Sequence, residues 1–71
     1  MENKITKEIM QQYENVRQSG ATNMFDYWNV MSVANKFQFH QLGSLTQDEY
    51  LFILQGFSRL MSKFNISQES I

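Results

Sequence analysis

Nine residues, Gly20-Ala21-Thr22-Asn23-Met24-Phe25-Asp26-Tyr27-Trp28, have to end one helix and begin another. Glycine takes the left-handed conformation that closes a helix C-terminus, and Thr22, Asn23 and Asp26 are residue types that cap the next N-terminus. Yet Met24, Phe25, Tyr27 and Trp28 are too apolar for a loop in water. The junction has to pack on something, within the domain or on another protein. Asp26 is the favoured N-cap, Asn23 can cap a further turn, and Met24 and Phe25 are expected beneath the turn as a hydrophobic staple.

On either side the apolar spacing is helical. Ile5, Ile9, Tyr13 and Val16 form one stripe, widened by Met10, and predict a helix over about 4–19 started by Asn3 or Thr6 and stopped by Gly20. Val30, Val33, Ala34 and Phe37, with Trp28 and Met31 beside them, predict a second over about 26–37. From 38 to 44 the pattern is irregular and admits a short helical turn or an extended segment, with Phe37, Phe39 and Leu42 buried. Thr46-Gln47-Asp48-Glu49 is a capping box: the Thr46 hydroxyl and the Glu49 carboxylate each satisfy a backbone N–H that the first turn leaves unpaired. Behind it Tyr50, Ile53, Leu54, Phe57, Leu60, Met61 and Phe64 predict a long third helix over about 46–64. Gly56 lies inside it and suggests a close helix crossing there.

The expected architecture is therefore all-α: a single domain over 1–71, three main helices with a long C-terminal one. Its core is expected to hold Ile9, Tyr13, Val16, Val30, Val33, Phe37, Ile53, Phe57 and Leu60.

Several function classes lose their footing on composition. A chain of 71 residues is near the lower limit for autonomous folding, and without cysteine it has no disulfide and no thiolate metal site. Its lone His40 cannot build a ligand set. Six Phe, three Tyr, one Trp and five Met supply the apolar surface instead. The net charge is −1 and the six Lys and Arg are spread singly, whereas phosphate binding calls for a clustered basic face. No run approaches the roughly 20 apolar residues of a membrane span, and none opens the chain as a leader would. A cytoplasmic protein is expected, with no membrane role and no cofactor.

Catalysis has no visible foothold. Asp48 and Glu49 are adjacent carboxylates, but neighbours on a helix point about 100° apart, and the capping box accounts for both. His40 stands near no Ser, Asp or Cys at a motif spacing and reads as a boundary histidine. Neither a phosphate-cradling glycine loop nor a metal-ligand spacing occurs. Asn65-Ile66-Ser67 matches a glycosylation sequon that means nothing without secretion. The chain is expected not to be an enzyme, with no catalytic, cofactor or metal residue.

What stands out is apolar excess. A helix has one inward face, so three helices cannot bury Tyr27, Trp28, Leu51 and Phe52 as well as the core. Surplus apolar surface of this kind points to partner capture or a homodimer, with Trp and Tyr as the anchors. These four residues are the expected partner-binding set. The alternative is a small helix-turn-helix-like transcriptional regulator using Val30 to Leu42, though its second helix would offer only Gln38, His40 and Gln41 to DNA.

The run Arg17, Gly20, Thr22, Asn23, Met24, Phe25 and Asp26, with Ile5 to Met10 before it and Val30, Val33-Ala34, Phe39, Leu42, Glu49-Tyr50, Phe52-Ile53 and Gly56 after it, resembles a family of small uncharacterised proteins of bacteriophages and prophages of Gram-positive bacteria. The likeness spans roughly residues 5 to 56. His40-Gln41-Leu42 departs from the Tyr-Glu-Leu the family often carries, and residues 57–71 extend past its usual end near Gly56. The resemblance implies phage origin and a host-cytoplasm setting, and no activity. It is compatible with a stoichiometric inhibitor or adaptor of a host or phage protein, an anti-defence role included.

Overall fold

The computed structural model describes residues 5–66. Lys4 as a helix start, Asn3 as its alternative cap and the tail beyond Ile66, with the sequon's Ser67, lie outside them. The described chain is all-helical, with five helices rather than three: α1 (Lys7–Ser19), α2 (Tyr27–Lys36), α3 (His40–Gly43), α4 (Gln47–Gln55) and α5 (Phe57–Lys63).

Thr6 caps α1, its hydroxyl accepting from Ile9 N–H at 3.2 Å, and Gly20 closes it at φ 68°. Asp26 caps α2 by accepting from Asn29 N–H. Both halves of the Thr46–Glu49 capping box are made at the start of α4. These four signals fall where the residue types put them.

The predicted long third helix is corrected to two. The backbone at Gly56 (φ −121°, ψ 28°) leaves the helical region for one residue, so α4 ends and α5 restarts at Phe57. Among the described residues no other helix crosses at Gly56: a Cβ there would meet the Phe52 carbonyl oxygen, at 3.5 Å. The glycine marks a kink rather than a crossing.

The irregular segment forms the four-residue helix α3, which packs against α2 and α1. A Cβ at Gly43 would lie 2.6 Å from Asn35 Oδ1, so any larger residue there has to displace the Asn35 side chain, which donates to Met31 O at 2.9 Å. A helix this short has no side-chain cap of its own. Gln12, from α1, accepts from Leu42 N–H at 2.9 Å and donates to Gln41 Oε1 at 3.1 Å. Replacing Gln12 with alanine leaves the Leu42 amide unpaired beside the core. We expect a loss of about 1–2 kcal/mol by urea denaturation, with faster exchange at that amide.

Two helices end on non-glycine residues in the left-handed region. Gln38 (φ 66°) and Asn65 (φ 59°) follow α2 and α5. Each closes a Schellman motif, with Phe39 N–H on Ala34 O and Ile66 N–H on Met61 O. Glutamine at such a site is strained, so Gln38→Gly should raise stability by about 0.5–1 kcal/mol, read as a higher urea midpoint.

The core is Ile5, Ile9, Met10, Tyr13, Val16, Val30, Met31, Ala34, Leu42, Leu45, Tyr50, Ile53, Leu60 and Met61. Three expected members are corrected. Val33 and Phe57 are only partly buried, and Phe37 is 40% exposed. The Schellman turn at Gln38 reverses the chain at Phe37 and leaves its ring at the surface, edge-on to Phe39 at 5.8 Å. Glu14 is the one buried charged residue among those described; Arg17 binds it through two nitrogens, at 2.6 and 2.9 Å, and Gln18 donates at 2.7 Å. Burial pushes the Glu14 carboxyl up, but these hydrogen bonds outweigh it and hold it below the usual carboxylate range.

Candidate functional site

The junction between α1 and α2 is built by hydrogen bonds that leave one side chain without a structural task. Asn23 Oδ1 accepts from Phe25 N–H at 2.9 Å and Asn23 O accepts from Asp26 N–H at 3.0 Å, a local turn typical of asparagine. The Tyr50 hydroxyl donates to Met24 O at 2.5 Å and ties the loop to α4. Arg17 is held by Glu14 and lies over the Phe57 ring, 5.6 Å from its centroid. Gly20 and Asp26 are a helix stop and a helix start.

Phe25 is the exception. It is 80% exposed, so the expected staple does not form; Met24, beside it, is half-buried against the core. The physical reason is the Asn23 turn, which fixes the backbone on both sides of Phe25 and aims its ring outward.

The four expected partner-binding residues divide. Trp28 is 70% exposed, one helical turn past Phe25. Tyr27 is committed to the fold: its hydroxyl donates to Leu45 O at 2.5 Å, and its ring packs on Tyr50 at 5.8 Å and edge-on to Trp28 at 4.9 Å. Its remaining edge, with Phe25, Tyr50, Leu51 and Leu54, lines a surface cleft of about 290 Å³ that has Asp48 on its wall. Phe52 does not join them; it lines a separate depression with Gln55, Gly56, Arg59 and Leu60. So the structure brings Tyr27 and Leu51 together, seats Trp28 at the margin and puts Phe52 elsewhere. Sequence reasoning missed Phe25, and the signal that could have found it is the asparagine two positions before it.

The cleft backs onto a run of aromatic rings. Phe57, Tyr13, Tyr50, Tyr27 and Trp28 follow one another at centroid distances of 5.4, 5.9, 5.8 and 4.9 Å. Burial pushes the Tyr13 and Tyr50 phenols above their ordinary value. Tyr13 and Tyr50 are the buried middle of this run, and Trp28 ends it at the surface. Such an arrangement can hold apolar side chains of another molecule, and the charged side chain on the cleft wall among the described residues is the carboxylate of Asp48.

Other chemistry-bearing groups are dispersed. His40 opens α3 and is exposed, and Asp48 and Glu49 sit in the first turn of α4. Among the described residues no three His, Cys, Asp or Glu side chains could hold a metal ion. Lys7 and Arg17 lie on α1, Lys36 on α2, Arg59 and Lys63 on α5. No helix among the described residues is long and apolar enough to cross a membrane.

Residues 1–57 match the family described as Domain of unknown function (DUF5049), and the chain belongs to that family. No curated protein and no solved structure matches it.

Proposed function

We propose that this member of a family of unknown function is a non-enzymatic protein-binding module, phage-encoded and acting in the host cytoplasm as an inhibitor or adaptor of a host or phage protein. The observation that carries the reading is the exposure of Phe25 and Trp28, 80% and 70%, on either side of a capped helix start whose neighbouring residues are bound into the fold. Two large aromatic side chains left in water forgo on the order of 3–5 kcal/mol each that a partner surface could recover. Their backbone is held by hydrogen bonds, so little ordering cost remains when they dock.

Affinity capture from host lysate tests this. The wild-type chain should enrich a defined protein that the Phe25→Ser, Trp28→Ala double variant does not. Equal recovery by both chains would overturn the reading.

A further inference from the structure

A second surface has the makings of a self-complementary contact. Phe52 and Gln55 of α4 and Arg59 of α5 border one depression, Asp48 lies one helical turn before Phe52, and all four are exposed. Leu51 is 49% exposed and Phe52 is 41% exposed. The kink at Gly56 opens the depression of about 280 Å³ that Phe52, Gln55, Arg59 and Leu60 surround. Apart from its chain neighbours and the Phe52 carbonyl, none of the described residues stands within 4 Å of where a Gly56 Cβ would be, so the backbone there is open to approach. Charge is divided between the ends of this face. Asp48 lies in the first turn of α4 and Arg59 in α5, and neither has a hydrogen-bond or ion-pair partner among the described residues.

We propose that a second copy of the chain docks antiparallel on this face. Leu51 of each copy then enters the Gly56 depression of the other, and Asp48 of each pairs with Arg59 of the other. Antiparallel alignment about the point between Ile53 and Leu54 sets Asp48 opposite the second copy's Arg59, Phe52 opposite Gln55, and Leu51 opposite Gly56. A parallel alignment brings like charges together at both ends. Glycine at the contact lets the helices close to the roughly 8–10 Å of packed axes. The face uses neither Phe25 nor Trp28 but shares Asp48 and Leu51 with the cleft; Arg59 lies outside the cleft, so the Arg59 variants separate self-association from capture, and this inference does not rest on the capture reading.

Sedimentation equilibrium of the full chain, up to about 1 mM, is the test. The wild type should dimerise. Asp48→Arg and Arg59→Asp should each weaken the dimer about tenfold or more, because every single reversal creates two like-charge contacts. The combined Asp48→Arg, Arg59→Asp chain should return to within about threefold of wild type. Asp48→Asn and Arg59→Gln remove charge without reversing it and should weaken the dimer less, which keeps the test open if a reversal unfolds the chain. A monomer at the highest concentration overturns the proposal, as does a dimer indifferent to all four changes or one the combined reversal fails to rescue. Reversals that abolish capture of a foreign protein by a chain that is monomeric alone assign the face to that protein instead, and equally overturn it.

Discussion

Replacing Tyr50 with alanine should leave the domain largely unfolded. Tyr50 is 1% exposed, its ring meets Tyr13 at 5.9 Å and Tyr27 at 5.8 Å, and its hydroxyl holds Met24 O at 2.5 Å. Removing a buried aromatic side chain costs about 3–5 kcal/mol, the lost transfer energy plus the cavity left behind. A domain this small has only a few kcal/mol to lose. Tyr50→Phe isolates the hydroxyl: the ring stays, the Met24 carbonyl loses its donor, and the expected loss is about 1–2 kcal/mol. Circular dichroism followed through a urea titration reads both variants. An alanine variant within 1 kcal/mol of wild type would mean that α4 is not fastened to the α1–α2 loop through this side chain.

Trp28→Ala should behave in the opposite way. The indole is 70% exposed and touches the Tyr27 ring edge-on, so its removal from α2 should change stability by less than about 1 kcal/mol. Alanine also suits a helix better than tryptophan, which offsets part of the lost contact. Affinity for the captured partner should fall by about 2 kcal/mol or more, roughly 30-fold, as for an aromatic anchor at the centre of an interface. Calorimetric titration of the captured protein measures the loss, and the urea midpoint measures the control. A variant that binds as wild type would remove Trp28 from the site. A variant that unfolds would make it part of the core.

How much of this was legible depends on how local each signal is. The Gly20 stop, the Asp26 cap and the Thr46–Glu49 box are satisfied within four residues of themselves, and all three stand in the structure. Ile9, Tyr13, Val16, Val30, Ile53 and Leu60 are buried as their spacing requires. What misled were positions decided by something other than the apolar spacing. Phe37 sits on the apolar stripe of α2, but the left-handed Gln38 turns the chain before that stripe can cover it. The apolar pattern runs through Gly56 without a break, so it could not show that the backbone leaves the helix there. The fully buried Leu42 depends on Gln12, thirty residues away, for its amide partner. Trp28 and Leu51 at the site, and Phe52 away from it, were legible as more apolar surface than a helical core can use. Phe25 was not, because a residue just before an N-cap is the ordinary place for a staple, and only the Asn23 turn withdraws it.

The row of rings from Phe57 to Trp28 also makes the protein its own optical reporter. Trp28 is the only tryptophan, it ends a chain of tyrosines whose rings meet at tilted or edge-on angles, and it faces solvent. Tyr27 is covalently next to the indole, but light absorbed by Tyr13 or Tyr50 passes along that chain to the indole most efficiently while the rings stay assembled. The indole's own emission colour depends on whether water or another molecule covers it. Excitation through the tyrosines therefore reads the integrity of the interior, and the wavelength of the answer reads the occupancy of the surface, with no label attached.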